Sequence, residues 1–337
     1  MLHGGLVSDF HTCDFGSHTS LCFFEGRRMQ GWGRGQVVVL DSQYRSVVTV
    51  QGEAITGLAD MHEFNLIDSG RRAIITAYSV DPFDGTNLNF TEGFTWILNS
   101  YFKEINVTSG EIIFEWNALE HFVPATQPSE LSPPGTSRLA PLDFFHLNSV
   151  TKSLDGDYII SARHTSAIYK VSHVDGHVIW QLGGGETDFE ADFNFCHQHH
   201  ALIMHESPHK MILSMFDNGC TTNAGTRSSA KTVELNMLNM TAVLLNEYGA
   251  DANVAVKTQG SAQCCEVTSS YATTPLLFEQ RGCCLNNAPT KLMRGDYVAV
   301  CIYQFPLSYL TRISMRCPTK RTTALTTLRF CLQMGTF

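Results

Sequence analysis

His62-Glu-Phe-Asn-Leu-Ile67, Asp68-Ser-Gly70 and Ala73-Ile-Ile-Thr-Ala-Tyr78 set a pattern that the chain repeats twice more. It returns as His146-Leu-Asn-Ser-Val150, Asp155-Gly156 and Tyr158-Ile-Ile-Ser-Ala-Arg163. It returns again as His199-His-Ala-Leu-Ile203, Ser207-Pro208 and Met211-Ile-Leu-Ser-Met-Phe216. Each copy is a histidine, a short strand, a polar turn and a second, apolar strand. The histidine precedes the last residue of that second strand by 16, 17 and 17 positions. Apolar runs bounded by Gly, Asp and Ser read as strands, and self-similarity at a steady spacing reads as a repeat architecture.

A further hairpin follows each copy. Phe102–Val107 turns at Ser109-Gly110 into Glu111–Trp116. Ala167–Val171 turns at Asp175-Gly176 into His177–Trp180, and Thr232–Asn236 passes Asn239-Met240 into Ala242–Asn246. Two hairpins make a four-stranded unit, the content of one propeller blade. Gln36–Asp41 with Ser46–Val50 reads as a half-blade lacking its preceding hairpin. The expected fold is therefore all-β, a β-propeller with three nearly complete blades and one half, incomplete in this chain because closure takes more units. An antiparallel sandwich also repeats hairpins; the shared histidine placement favours the propeller. His121–Pro141, rich in Pro and Ser, reads as a long inter-blade loop.

The bulk chemistry agrees. Of 337 residues, 43% are hydrophobic and only 16% charged, so a large core is available. The net charge of −9 argues against nucleic acid or an anionic membrane as the main partner, while leaving room for a local basic pocket. Among the 11 cysteines no pair has C-x-x-C spacing. Cys13/Cys22 and Cys196/Cys220 are candidate disulfides that sequence alone does not pair. Sequons at Asn89, Asn106 and Asn239 lean towards a secretory route. The chain opens without a signal peptide and holds no 18-residue apolar run, from which we expect that its true N-terminus is missing.

Equivalent positions of successive blades face one axial channel. The repeat therefore brings together His62, His146 and His199, with Arg163 ending a second strand nearby. Imidazoles and a guanidinium with few carboxylates suit an anion with several oxygens, since Arg offers a planar fork to sulfate or phosphate and neutral imidazole acts as nucleophile or acid/base. Each of these residues taken singly also fits a structural role, as a strand cap or an interface ion pair. Glu63 and Asp217 either orient imidazoles or cap turns. The stretch Cys196-His197-Gln198-His199-His200, with His205 and His209, has a weaker metal-binding reading, with His197 and His199 on one strand face and His200 on the other. Gly183-Gly184-Gly185 is a tight turn without the context of a phosphate loop.

Asp60-Met61-His62-Glu63-Phe64, Phe145-His146-Leu147-Asn148-Ser149-Val150, Asp155–His164, Val178–Gly184, Gln198-His199 and Phe216-Asp217-Asn218-Gly219 resemble the arylsulfotransferase family, its fungal branch most of all, over residues 5–263. The resemblance implies a six-bladed propeller. It implies PAPS-independent ping-pong transfer of a sulfuryl group from a phenolic sulfate ester to a phenol, with no cofactor and no metal. It implies His199 as the nucleophile that becomes sulfohistidine, with His62, His146 and Arg163 holding the sulfuryl oxygens. A secreted or extracellular location also follows from it, and any membrane tie would run through an N-terminal anchor. One departure stands out: His200 replaces the aspartate that usually follows Gln-His, so a carboxylate partner for the nucleophile is in question. A non-catalytic ligand-binding propeller, or an inactive fragment, is the alternative reading.

We expect two regions: the partial propeller, residues 1–263, and a Cys-rich basic tail, residues 264–337. The tail carries eight basic and three acidic residues and doubles its cysteines at 264/265 and 283/284. A frameshift or misplaced intron near residue 264 accounts for that change of character better than a lineage-specific tail.

Overall fold

The computed structural model describes residues 6–50, 59–86, 93–124, 135–220, 227–249, 256–264 and 298–301. They form antiparallel meanders. The first runs β1 Leu6–Phe15, β2 His18–Arg28, β3 Gly33–Leu40 and β4 Ser46–Val50. The second runs β5 Ala59–Ile67, β6 Arg72–Asp84, β7 Phe94–Asn106 and β8 Ile112–Asn117. The third is β9 Leu147–Lys152, β10 Tyr158–Ala162, β11 Ala167–Val171 and β12 Val178–Gly183. In the fourth, a short β13 Glu190–Ala191 lies parallel to the outermost strand of β14 His199–Ser207, β15 Lys210–Asp217, β16 Ser229–Asn236 and β17 Thr241–Gly249. The first strands of the four groups, β1, β5, β9 and β14, lie side by side. Four-stranded units with adjacent inner strands are propeller blades, and the protein is an all-β propeller.

One expectation is corrected. Gln36–Val50 is not a lone half-blade: β1 and β2 precede it and complete four strands. The signal was weak because Leu6–Phe15 lacks a continuous apolar run and bulges between Ser8 and His11. β18 Ser261–Cys264 pairs with β19 Val298–Cys301, and the remaining residues after 264 lie outside the described residues.

Strand burial follows position in the blade. β10 and β15 are central strands with both faces covered, so Tyr158–Ala162 is buried throughout and Met211–Asp217 likewise. The outermost β8 and β12 alternate, since one face meets water. The turns at Gly110, Gly156 and Gly176 all have positive φ, which glycine adopts without a Cβ clash.

The blades are joined by aromatic layers. Phe102, Trp116, Phe145, Tyr158 and Tyr169 fill the space between the second and third blades. Trp116 also donates its indole N–H to the Gly176 carbonyl across that space, at 3.0 Å. Trp180, Leu213, Met215 and Val233 do the same between the third and fourth. Truncating such a ring to alanine costs about 3–5 kcal/mol, enough to separate blades. A polar bridge accompanies the first layer: Glu104 on β7 is paired with Arg72 and Lys152 and accepts from the Tyr158 hydroxyl at 2.6 Å. Burial pushes this carboxyl up, but Lys152, Tyr158 and Arg72 together hold it below its ordinary range.

Both expected disulfides are present, Cys13–Cys22 within the first hairpin and Cys196–Cys220 beside β14. The β6–β7 hairpin overshoots its blade. The segment Gly135–Leu142 straps along the overhang: Trp96 donates to Gly135 O at 2.9 Å, and Leu142 donates to Trp96 O at 2.6 Å. That is the described end of the inter-blade loop expected at His121–Pro141.

Candidate active site

The three repeated histidines meet where the inner strands begin. Each sits at a ladder irregularity, because a regular strand would aim the side chain along the sheet face and not into the axis. The register of β5 against β6 shifts between Ala59 and Phe64, around His62. His146 has φ +58 just before β9, and the register of β14 shifts directly after His199, where His200 has φ +54. Bulges of this kind re-aim single side chains. The ring centroids of His62 and His146 are 5.0 Å apart, and those of His62 and His199 are 6.4 Å apart. Arg163 and Tyr78 line the same cavity of about 1240 Å³.

The nitrogen partners decide what each ring can do. His62 Nδ1 lies 2.5 Å from Asp60 Oδ2, and Asp60 also accepts from the Gly33 and His62 backbone N–H groups. Burial raises the Asp60 carboxyl, yet His62 and these hydrogen bonds hold it below its usual value. His146 Nδ1 lies 2.5 Å from Asp143 Oδ2, and His164 donates through Nδ1 to the Asp143 backbone carbonyl at 2.6 Å. The His164 ring stacks on His146 at 4.7 Å. In both carboxylate pairs Nδ1 is engaged and Nε2 is left for the cavity.

His199 differs. Its Nδ1 lies 2.7 Å from Asn218 Oδ1 and 3.0 Å from the His197 backbone oxygen. The Asn218 amide is oriented by its own NH₂, which donates to Val256 O at 2.9 Å and Gln259 O at 2.7 Å. Both neighbours of His199 Nδ1 are therefore acceptors, so Nδ1 carries the proton and Nε2 carries the lone pair. Burial, then the charges of Arg163 and His62, push the His199 pKa well below 6.5 despite the opposing bond to Asn218. At neutral pH this ring is an uncharged base of one tautomer. Burial and the same two charges also push His146 well below 6.5, and His164 falls to about 3.

Arg163 is 4% exposed. Nη2 donates to Lys257 O at 2.6 Å, and Nε has no acceptor among the described residues. No carboxylate forms an ion pair with it among those residues. Burial brings its pKa down to about 10, opposed by the more distant Asp143 and Tyr78. A buried guanidinium with a spare donor is costly unless an anion completes it.

All four expected residues thus converge. One expectation does not survive, and two open alternatives resolve. The site is not poor in carboxylates, since Asp60 and Asp143 orient two of the imidazoles. Glu63 and Asp217 orient none: Glu63 bonds Asn65, with burial raising its carboxyl well above normal, and Asp217 is tied to Lys231 and to the Cys196 and Gly219 N–H groups. The histidine-rich stretch does not gather either, because His205 and His209 are exposed at the far end of the β14–β15 hairpin. His197 has φ +55, so it does not alternate with His199 as on a regular strand; it offers His199 its carbonyl. His200 donates away from the cavity to Ala262 O, and Asn218 is the side chain beside the His199 proton. Sequence reasoning gave no site role to Asp60, Asp143, His164, Tyr78 and Asn218, although all but Asp143 stand in the quoted motifs. Acids two and three residues ahead of His62 and His146 were the available signal for the first two.

Asp143, His146 and His164 present donor atoms within 4.8 Å of one another, a set with metal-ligand chemistry. Here Asp143 itself engages Nδ1 of both rings, so the cluster serves as one acid orienting two imidazoles.

These features define a class: a propeller whose axial cavity collects three imidazoles and a buried guanidinium. The model of the arylsulfotransferase (ASST) family matches residues 18–277, and the chain belongs to that family. The match continues past residue 263, where the motif resemblance stops. No curated protein matches the chain significantly. Among solved structures, a protein of unknown function from Bacteroides caccae is similar at 10% identity, over 79% of this chain and 70% of that one, with a TM-score of 0.42. The β-propeller domain of Myceliophthora thermophila Cps50 (Swd1) is similar at 9% identity, over 77% and 92%, with a TM-score of 0.29. Both likenesses are distant and neither informs the chemistry.

Proposed function

We propose that the protein transfers a sulfuryl group from a phenolic sulfate ester to a phenol, without PAPS, through a sulfohistidine at His199. The observation that carries this is the pairing of a neutral His199, its lone pair held on Nε2, with a buried Arg163 that keeps a donor in reserve. In the first half-reaction Nε2 attacks sulfur, the N–S bond forms, the S–O bond to the aryl group breaks, and the phenolate takes a proton from His62, whose Nδ1 is held by Asp60. In the second half that imidazole removes the proton of the acceptor phenol, whose oxygen attacks sulfur and breaks the N–S bond. Arg163 and His62 hold the charge on the sulfuryl oxygens. The His197 and Asn218 oxygens stabilise the Nδ1–H while the ring carries charge.

The reading includes a fungal-type branch and a secretory origin. The two disulfides and the exposed hairpin sequon at Asn239 support the latter. A non-catalytic anion-binding propeller is the second reading, favoured by the amide at Asn218 where a carboxylate would polarise His199 more strongly.

The full chain, incubated with a chromogenic aryl sulfate with and without a phenol acceptor, separates the two. Acceptor-dependent phenol release is expected, falling by at least about a thousandfold in His199→Ala. Mass spectrometry after an alkaline quench should place the sulfuryl group on the His199 peptide. Folded protein that binds the ester but neither releases phenol nor carries sulfur would leave the binding reading.

A further inference from the structure

The inner half of the cavity accounts for one sulfuryl anion. The outer half carries more positive charge than that anion needs. Arg28 ends β2 opposite Gly33, the first residue of β3, and Arg34 follows; between the strands the turn Met29–Trp32 closes with Met29 N donating to Trp32 O at 2.7 Å. The turn lies against the site: a Cβ at Gly31 would stand 3.4 Å from His146 Cε1, and Gly33 N bonds Asp60. Across the opening, Arg138 on the strap lies over the Trp96 ring at 5.9 Å. Lys257 completes the rim.

All four cations are exposed, and none has a carboxylate partner among the described residues. Asp81, the one acid on the outer wall among the described residues, accepts from the Ser79 hydroxyl at 2.5 Å. In a chain of net charge −9, four cations to one acid around one opening is a marked local excess. Between rim and histidines the walls are apolar, with Trp32 and Leu98 buried in one cluster. The cavity of about 1240 Å³ exceeds the roughly 300–1000 Å³ typical of small-molecule sites. A bare phenyl sulfate would fill the inner and middle zones and leave the rim unanswered.

Resting on the sulfuryl-transfer reading, we infer that the substrates are aromatic compounds carrying a second anionic group, a carboxylate, on the side of the ring remote from the phenolic oxygen. The sulfuryl end faces the histidines, the ring lies against Trp32 and Leu98, and the carboxylate reaches the rim formed by Arg28, Arg34 and Arg138.

The test compares 3-(4-hydroxyphenyl)propionate with its methyl ester as acceptors for one donor, in the wild-type full chain and in an Arg28→Gln/Arg34→Gln/Arg138→Gln variant. The acid should exceed the ester in kcat/KM by roughly tenfold at low salt, as several exposed pairs acting together allow, and the ratio should approach one in the variant and at high salt. Equal values for acid and ester in wild type, or a preference that survives in the variant, overturns the inference. Calorimetric titration of the same two compounds runs alongside. If no transfer occurs with any acceptor but the acid still binds more tightly than the ester, and only in wild type, the transfer reading fails and the recognition stands. If a folded chain binds neither compound, or binds both equally, the recognition fails as well.

Discussion

Replacing His164 by glutamine should make the protein less sensitive to acid, even though the ring is well packed. His164 has a side chain 5% exposed, donates Nδ1–H to the Asp143 carbonyl and stacks on His146. Burial, partly opposed by Asp143, lowers its pKa from 6.5 to about 3. The sign follows from linkage. The folded pKa is depressed, so between 6.5 and about 3 the unfolded chain binds a proton that the native state refuses. Stability from this group is intact above 6.5 and declines as pH falls through that window. At about pH 4.5 the unfolded imidazole is almost fully charged and the folded one almost fully neutral, a difference of about 3 kcal/mol. His164→Gln also loses a stacking contact, but that loss is the same at both pH values. Urea unfolding at about pH 7 and about pH 4.5 isolates the titration as a difference of differences. The wild type should lose about 3 kcal/mol more than the variant on acidification. An identical pH dependence in the two proteins would refute the assignment of His164 as a neutral, desolvated ring.

Three other outcomes follow from the same geometry. Asn218→Ala leaves the His199 Nδ1–H with only the His197 oxygen and releases two backbone carbonyls; kcat/KM for the aryl sulfate should fall roughly tenfold to a hundredfold, read by steady-state release of phenol. Since the His199 pKa lies well below 6.5, the first half-reaction, followed by rapid-quench burst amplitude and rate, should not weaken as pH drops through 6.5; a break there would mean that the nucleophile is an ordinary exposed imidazole. Cys196→Ser opens the bridge to Cys220, which closes 24 residues around His199 and Asn218, and should cost about 2–4 kcal/mol in thermal unfolding; reductant on the wild type should reproduce the loss.

What the sequence determined by itself was the local grammar. Alternating and fully apolar runs between polar turns specified the hairpins at Gln36–Val50, His62–Tyr78 and from Phe102 onward, because side-chain period and turn chemistry act over a few residues. The same short range explains the miss at Leu6–Phe15, whose pairing with β2 and packing beside β5 stabilise a strand that its own residues do not announce. The repeat spacing was enough to bring His62, His146, Arg163 and His199 into one place. Only the tertiary structure decided their states. Whether a histidine is neutral, and which nitrogen is free, depends on partners such as Asn218, 19 residues from His199, and on carbonyls of Val256 and Gln259 farther still. Desolvation arises from neighbouring blades closing over the rings, and the orphaned Nε–H of Arg163 exists only once burial has removed water from it. Spacing along the chain encodes position; charge and tautomer come from what the fold places around it.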